Sequence, residues 1–357
     1  MSPGAEIQWI AVFTAAGCAL PGAFLLLRRM SMMSDAITHT ILLGIVLGFF
    51  LTQDLSSPLL LAGAAFIGVV TVWLTEAVAG TGLVSEDSAI GLVFPLLFSA
   101  AIILITRYAG SVHLDTDSVL LGELAFAPFE RLTVWGVDIG AKAIYTSGAV
   151  LLVNLLFILL FFKELKLASF DPVLSVVLGF SPALFHYGLM GLVSLTTVSS
   201  FEAVGSVLVV AFMIAPPAAA YLLTDDLKQM LAGSVFFAVL SALLGYHAAI
   251  YFDVSIAGSM AVAAGAVFFA VFLCAPKRGL LADLLRRRRE RACFAENAFL
   301  LRLLPGDSEA ATMVQTDKKL CEKLCRKALV EVRQRELFLT EKGERQARAA
   351  AKKWFPV

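Results

Sequence analysis

Nine apolar runs punctuate this chain, near residues 8–27, 36–52, 58–79, 89–107, 143–162, 183–199, 203–223, 229–250 and 256–275. A helix needs some 20 such residues to cross about 30 Å of hydrocarbon, so the pattern predicts eight or nine crossings. Nearly every run mixes Gly, Ala, Ser or Thr with its Leu and Val. Small residues of that kind let membrane helices approach one another closely. The expected architecture is all-α: a polytopic membrane helical bundle over residues 1–278. The runs then stop, and residues 279–357 form a basic, helix-forming extension expected on the cytoplasmic side.

Composition agrees: 59% of residues are hydrophobic and mean hydropathy is +0.85, a balance that excludes an ordinary water-soluble domain. The formal net charge of zero conceals a division. Residues 1–275 hold eight Lys and Arg against 17 Asp and Glu, a net −9, whereas 276–357 hold 20 against 11, a net +9. The few cations of the apolar part mark one side of the membrane. Arg28, Arg29, Lys163, Lys166, Lys228, Lys277 and Arg278 alternate correctly with the runs, and the positive-inside rule makes their side cytoplasmic. Arg107, Arg131 and Lys142 fall on the opposite side. With nine crossings the N-terminus faces outward. The first run has its basic residues after it and no small-residue cleavage site, so it reads as a retained helix. Cysteines 18, 274, 293, 321 and 325 show no metal-finger spacing and read as reduced thiols.

Against this apolar background a few polar groups stand out. Asp35 and His39 lie four residues apart in SMMSDAITHTILLGIVLGFFL, and that spacing puts a carboxylate and an imidazole on one helix face. Ionisable groups inside a membrane helix are expensive and point to a transport path. A capping role for Asp35 at the helix end is the plainer alternative. Ser85, Glu86, Asp87 and Ser88 directly precede a run, which is ordinary N-capping chemistry. His113, Asp115 and Asp117 alternate in SVHLDTDSVLLGEL, with Glu123 following, and an extended segment would turn three such ligands to one side toward a divalent cation. Surface polarity accounts for the same residues. On the expected cytoplasmic side, FFKELKLASFDPVLSVVLGFSP carries Glu164, Phe170, Asp171, Pro172 and Gly179 in a segment too short to span. A short interfacial helix there suits docking to a soluble partner. Pro216-Pro217 lies deep in an apolar run and predicts a broken or kinked helix of the sort that borders transport paths.

Five blocks in succession, RRMSMMSDAITHTILLGI, SEDSAIGLVF, VHLDTDSVLLGEL, FKELKLASFDPVLSVVLGFSP and VLVVAFMIAPPAAAYLLT, resemble the membrane-spanning permeases of bacterial ABC importers for manganese, zinc or iron. The match covers about residues 8–275. The resemblance implies a multi-pass protein of the bacterial plasma membrane, paired with a second permease copy or a paralogue. It further implies two cytoplasmic ATPase subunits and an extracytoplasmic metal-binding protein. Asp35 and His39 match positions that line the translocation path, and 164–181 matches the coupling helix that receives the ATPase stroke. The divalent metal would be cargo, with no cofactor permanently bound. No G-x-x-x-x-G-K-[ST] phosphate loop occurs, so the ATPase chemistry belongs to a partner and this chain is no enzyme.

The extension is unusual for such a permease. KLCRKALVEVRQRELFLTEKGERQARAAAKKW resembles the second half of a winged helix of the diphtheria-toxin-repressor group, with L-T-E-K-G at the wing. A regulatory or structural remnant is favoured over nucleic-acid binding, and Arg286 to Arg289 could instead meet anionic membrane lipid. Two other classes of function compete with the importer. A proton-coupled secondary transporter would use Asp35 and His39 as a relay, and a membrane-anchored transcriptional regulator would give the extension the main role.

Overall fold

The computed structural model describes residues 2–53, 57–108, 124–134, 137–276, 278–303, 318–333 and 336–354. It falls into two compact units, Met1–Pro276 and Lys277–Val357. In the first unit the order is α1 (Pro3–Leu27), α2 (Ser31–Thr52), α3 (Pro58–Ala79), α4 (Glu86–Tyr108), a hairpin of β1 (Arg131–Val134) and β2 (Val137–Ala141), and α5 (Lys142–Leu160). Two short helices follow, α6 (Phe162–Phe170) and α7 (Pro172–Val177), then α8 (Pro182–Val204), α9 (Ser206–Leu223), α10 (Leu227–Phe252) and α11 (Ile256–Cys274). Among the described residues nine helices, α1 to α5 and α8 to α11, are long and apolar enough to cross a membrane. Nine is the upper of the two expected numbers.

Helices begin earlier than the apolar runs because their first polar residues find partners inside the bundle. Glu6 in α1 is only 2% exposed and receives a 3.2 Å hydrogen bond from Arg131 of β1. In α2 the hydroxyls of Ser34 and Thr38 donate to the carbonyls of Ser31 and Asp35 at 2.8 and 2.6 Å, so they carry no unmet bond into the apolar layer. Helix α1 is central, packing on α5, α9 and α10. Its buried Ile10, Ala15, Ala19 and Leu25 belong to a core shared with Phe212 and Met213 of α9 and Ala238 and Ala242 of α10. Asn154 of α5, fully buried, donates to the Gly17 carbonyl and to Thr196 of α8, both at 2.8 Å, and so ties three helices together.

Close helix approach rests on small residues. Gly44 and Gly48 sit four apart on α2, and a Cβ on Gly44 would overlap the backbone of Gly63 and Ala64 on α3. Beside this seam Thr71 of α3 donates to Thr40 of α2 at 2.8 Å. The α2–α3 contact is therefore a small-residue seam with a polar stitch, the usual solution where lipid supplies no hydrophobic drive between helices.

The break expected at Pro216-Pro217 does not occur. Helix α9 runs unbroken through both prolines. Pro217 has no N–H to offer the Met213 carbonyl four residues back, and Gly22 of α1 lies so close to that oxygen that a Cβ would overlap it. Packing by α1 keeps the freed carbonyl out of lipid, so the helix survives. The chain turns instead at Gly205, whose φ of 81° suits glycine.

The β1–β2 hairpin departs from the all-helical expectation. Arg131 opposes Ala141 in an antiparallel ladder, and Lys142 bonds Glu130 at 2.7 Å across its base.

The second unit holds α12 (Leu280–Arg302), α13 (Lys318–Arg326), a hairpin of β3 (Val330–Arg333) and β4 (Glu336–Leu339), and α14 (Glu341–Trp354). Phe299 and Leu300 pack with Leu324, Leu329, Val330 and Ala347 into a small core. In the L-T-E-K-G run Thr340 donates to the Ala328 carbonyl at 2.8 Å and accepts from the Gly343 N–H at 3.1 Å. That threonine closes the hairpin and caps α14. Glu296 is 5% exposed and meets Lys323 and Lys327 at 3.0 and 2.6 Å. Burial pushes its carboxyl pKa upward, but the hydrogen bonds and charges of Lys327 and Lys323 outweigh that and hold it below the usual glutamate range.

Candidate metal path and coupling surface

Helix α2 enters the membrane from the side marked by Arg28 and Arg29. At 1.5 Å per residue Asp35 and His39 stand roughly 6 and 12 Å along its axis from Ser31, within the layer but nearer that side. The capping alternative for Asp35 fails, because Met30 occupies the cap position and no side chain closes that end. Asp35 Oδ1 lies 3.7 Å from His39 Nε2. That separation is too long for a hydrogen bond, yet two ligands placed about 2.1 Å from one tetrahedral ion stand about 3.4 Å apart. The observed separation is a few tenths of an ångström longer than that. The His39 ring rests on Phe94 and Phe98 of α4, at centroid distances of 5.7 and 5.8 Å, which limits its rotation.

Asp35 and His39 are 44% and 31% exposed, while Ala36, Ile37 and Thr38 beside them are buried. With exposed Met32 they form a stripe at i, i+3 and i+7 that this chain leaves uncovered. Among the described residues no group of three or more His, Cys, Asp or Glu side chains comes together as a metal site. Among the described residues Asp35 and His39 thus stand as a pair and not as part of a larger ligand cluster. The His113, Asp115, Asp117 and Glu123 set lies outside the described residues.

The expected cytoplasmic segment forms two short helices rather than one. Asp171 ends α6 and caps α7, accepting from the Leu174 N–H at 2.9 Å, with Pro172 at the first helical position. Gly179, at φ 84°, ends the segment in a conformation that suits glycine. Between these fixed ends the surface is apolar and open: Phe170, Val173, Val176, Val177 and Leu178 are all exposed. An exposed apolar patch of this kind marks a contact with protein or with membrane lipid. Glu164 lies in the first turn of α6, favourably placed near its positive end. On α4, Ser85 accepts from the Ser88 N–H at 3.4 Å and contacts the Ser88 hydroxyl at 2.8 Å, so the SEDS stretch caps, as expected.

The structure also assembles charges that the sequence reading passed over. Glu76 near the end of α3, His186 at the start of α8 and Arg28 at the end of α1 meet on one side of the bundle. His186 Nε2 lies 2.5 Å from Glu76, Tyr187 donates to Glu76 at 2.8 Å, and Arg28 contacts His186 Nδ1 at 2.9 Å. Glu76 and His186 each sit alone within an apolar run, the same signal that singled out Asp35 and His39.

A family model described as ABC 3 transport family matches residues 5–275. The chain is 46% identical over 295 residues to the manganese transport system membrane protein MntD of Bacillus subtilis, covering 82% of this chain and all of that one. It is 45% identical to the zinc transport system membrane protein TroD of Treponema pallidum, over 77% of this chain and 75% of that one. Among solved structures, PsaBC from Streptococcus pneumoniae in complex with Fab superposes with a TM-score of 0.65 at 29% identity, covering 78% of this chain and 94% of that one.

Proposed function

The chain belongs to the ABC 3 transport family as the membrane-spanning permease subunit of a metal-ion importer in the bacterial plasma membrane, and we propose that it passes Mn²⁺ or Zn²⁺ along a path lined by Asp35 and His39. The observation that carries this reading is the uncovered pair on α2, 3.7 Å apart and half-exposed inside an otherwise buried stretch. A carboxylate and an imidazole suit either ion. Two ligands hold a cation loosely enough to release it, which is what a transport intermediate requires and a storage site does not. A second permease copy or a paralogue facing the same stripe would supply further ligands in one state of the cycle and withdraw them in the next.

Energy comes from a cytoplasmic ABC ATPase dimer that seats on α6 and α7. Phe170, Val173, Val176 and Val177 form the apolar contact, Asp171, Pro172 and Gly179 set its shape, and Glu164 supplies charge at its edge. An extracytoplasmic metal-binding protein delivers the ion and chooses it, so the permease need not discriminate between metals that share ligand preferences. The region beyond residue 278 acts as a regulatory or assembly unit rather than a nucleic-acid reader.

The test is metal uptake by cells carrying the Asp35→Asn, His39→Ala double variant at wild-type protein level. Uptake should fall at least tenfold; unchanged uptake removes both residues from the path.

A further inference from the structure

Ser169 lies on α6, one residue before Phe170, and its hydroxyl accepts a 3.0 Å hydrogen bond from Arg28 Nε while donating to the Leu165 carbonyl at 2.7 Å. The Arg28 guanidinium continues to His186, 2.9 Å away on α8. Arginine has only protons to give, so His186 Nδ1 accepts, while Nε2 on the far side of the ring lies 2.5 Å from Glu76 of α3, a close polar contact without hydrogen-bond alignment. The second Glu76 oxygen accepts from Tyr187 at 2.8 Å. A succession of polar contacts thus runs from the coupling segment through the end of α1 to α8 and α3. Arg28 Nη2 is buried with no hydrogen-bond partner among the described residues.

Arg28 is also three residues from the start of the helix that bears Asp35 and His39. The connection is stiff. Arg29 sits at φ 62°, a left-handed conformation that disfavours a side chain, and Met30 is buried at 7% exposure with its N–H bonded to the Leu25 carbonyl at 2.9 Å. A turn held this way passes displacement from the end of α1 into α2 instead of absorbing it. Charged groups at this depth persist only where the surrounding structure repays their desolvation. Apolar packing would fill the same space at lower cost, so a role that requires directional bonds is the better account of their presence.

We propose that Arg28, with Ser169, His186 and Glu76, is the link that carries movement of α6 and α7 to the helices of the metal path. They are positioning residues: none touches the ion, and each acts through Asp35 and His39. The inference rests on the reading of α6 and α7 as the ATPase seat. Loss of the Ser169 bond should leave the ATPase docked and hydrolysing but should disconnect hydrolysis from transport.

The test uses the whole transporter, permease with its ATPase subunits, in proteoliposomes with the metal-binding protein present, measuring ATP hydrolysis and Mn²⁺ uptake in the same vesicles. Arg28→Gln should keep ATPase co-purification and hydrolysis within twofold of wild type while uptake falls tenfold, so that metal moved per ATP falls at least fivefold. Ser169→Ala, which removes one bond to Arg28 but no charged group and so is the milder variant, should lower that ratio twofold or more with the thermal midpoint of the permease unchanged, and Ser169→Thr should restore it. Hydrolysis and uptake falling in parallel for Ser169→Ala, or a ratio unchanged in both variants, overturns the link. If the wild-type permease captures no ATPase, the reading of α6 and α7 fails first, and the link falls with it.

Discussion

Truncating Phe170 tests the coupling surface in a way that yields a number. A phenylalanine side chain buries roughly 200 Å² when fully covered, and Phe170 stands 61% exposed in the isolated chain. Covering that exposed part by a partner removes about 120 Å² of apolar surface from water, which at about 25 cal/mol per Å² amounts to about 3 kcal/mol. Alanine retains part of the contact, so Phe170→Ala should weaken ATPase binding by about 2 to 3 kcal/mol, roughly 30- to 150-fold in Kd. The entropy lost on association is common to both variants and cancels from the difference. Asp171→Ala removes the α7 cap and should add about 1 kcal/mol by loosening the segment before it docks. The assay is a titration of fluorescently labelled ATPase subunit onto permease in nanodiscs, with thermal unfolding of each variant as a control. A Kd within threefold of wild type for Phe170→Ala, with the fold intact, refutes the assignment of α6 and α7 as the seat.

Two further predictions concern packing and charge. Gly44→Val should push α2 away from Gly63 and Ala64 of α3, shift the helix that bears His39, and lower both the thermal midpoint and metal uptake, with an overpacking penalty of about 1 to 3 kcal/mol; a variant as stable and active as wild type would mean the α2–α3 seam is looser than drawn. The Glu296 carboxyl titrates below its unfolded value when folded, so its contribution to the second unit is complete above the unfolded pKa of about 4.3 and is lost as pH falls through the lower folded value. Protection of the 280–302 amides in the intact chain, taken relative to the intrinsic exchange rate at each pH, should fall over that acid range in wild type, and Glu296→Gln should flatten the dependence; identical profiles would deny the Lys323–Glu296–Lys327 cluster a stabilising role.

Helix number was legible because a bilayer imposes one rule on every span, some 20 apolar residues. Asp35 and His39 stood out for the same reason, as charge that the surrounding Ile, Leu and Phe cannot solvate. Helix ends were less legible, since Glu6 and Ser34 look like loop residues until Arg131 and the Ser31 carbonyl are placed beside them. At Pro216-Pro217 the helix stays continuous because what covers the Met213 carbonyl is Gly22, almost two hundred residues away in sequence. The Glu76, His186 and Arg28 cluster was hidden differently. Arg28 stood out only as a cytoplasmic-side cation and Glu76 and His186 sit singly within apolar runs; their meeting depends on which ends of α1, α3 and α8 adjoin, and periodicity along one helix says nothing about that. The β1–β2 and β3–β4 hairpins are too short for alternation to separate them from polar loops.

The most direct measurement is radiolabelled Mn²⁺ uptake by proteoliposomes holding permease and ATPase, with ATP supplied and no proton gradient, for wild type and for Asp35→Asn, His39→Ala. The importer account requires ATP-dependent uptake by wild type that falls at least tenfold in the double variant while the ATPase remains bound. Uptake that ignores ATP and follows an imposed proton gradient, or a double variant that transports like wild type, would contradict it.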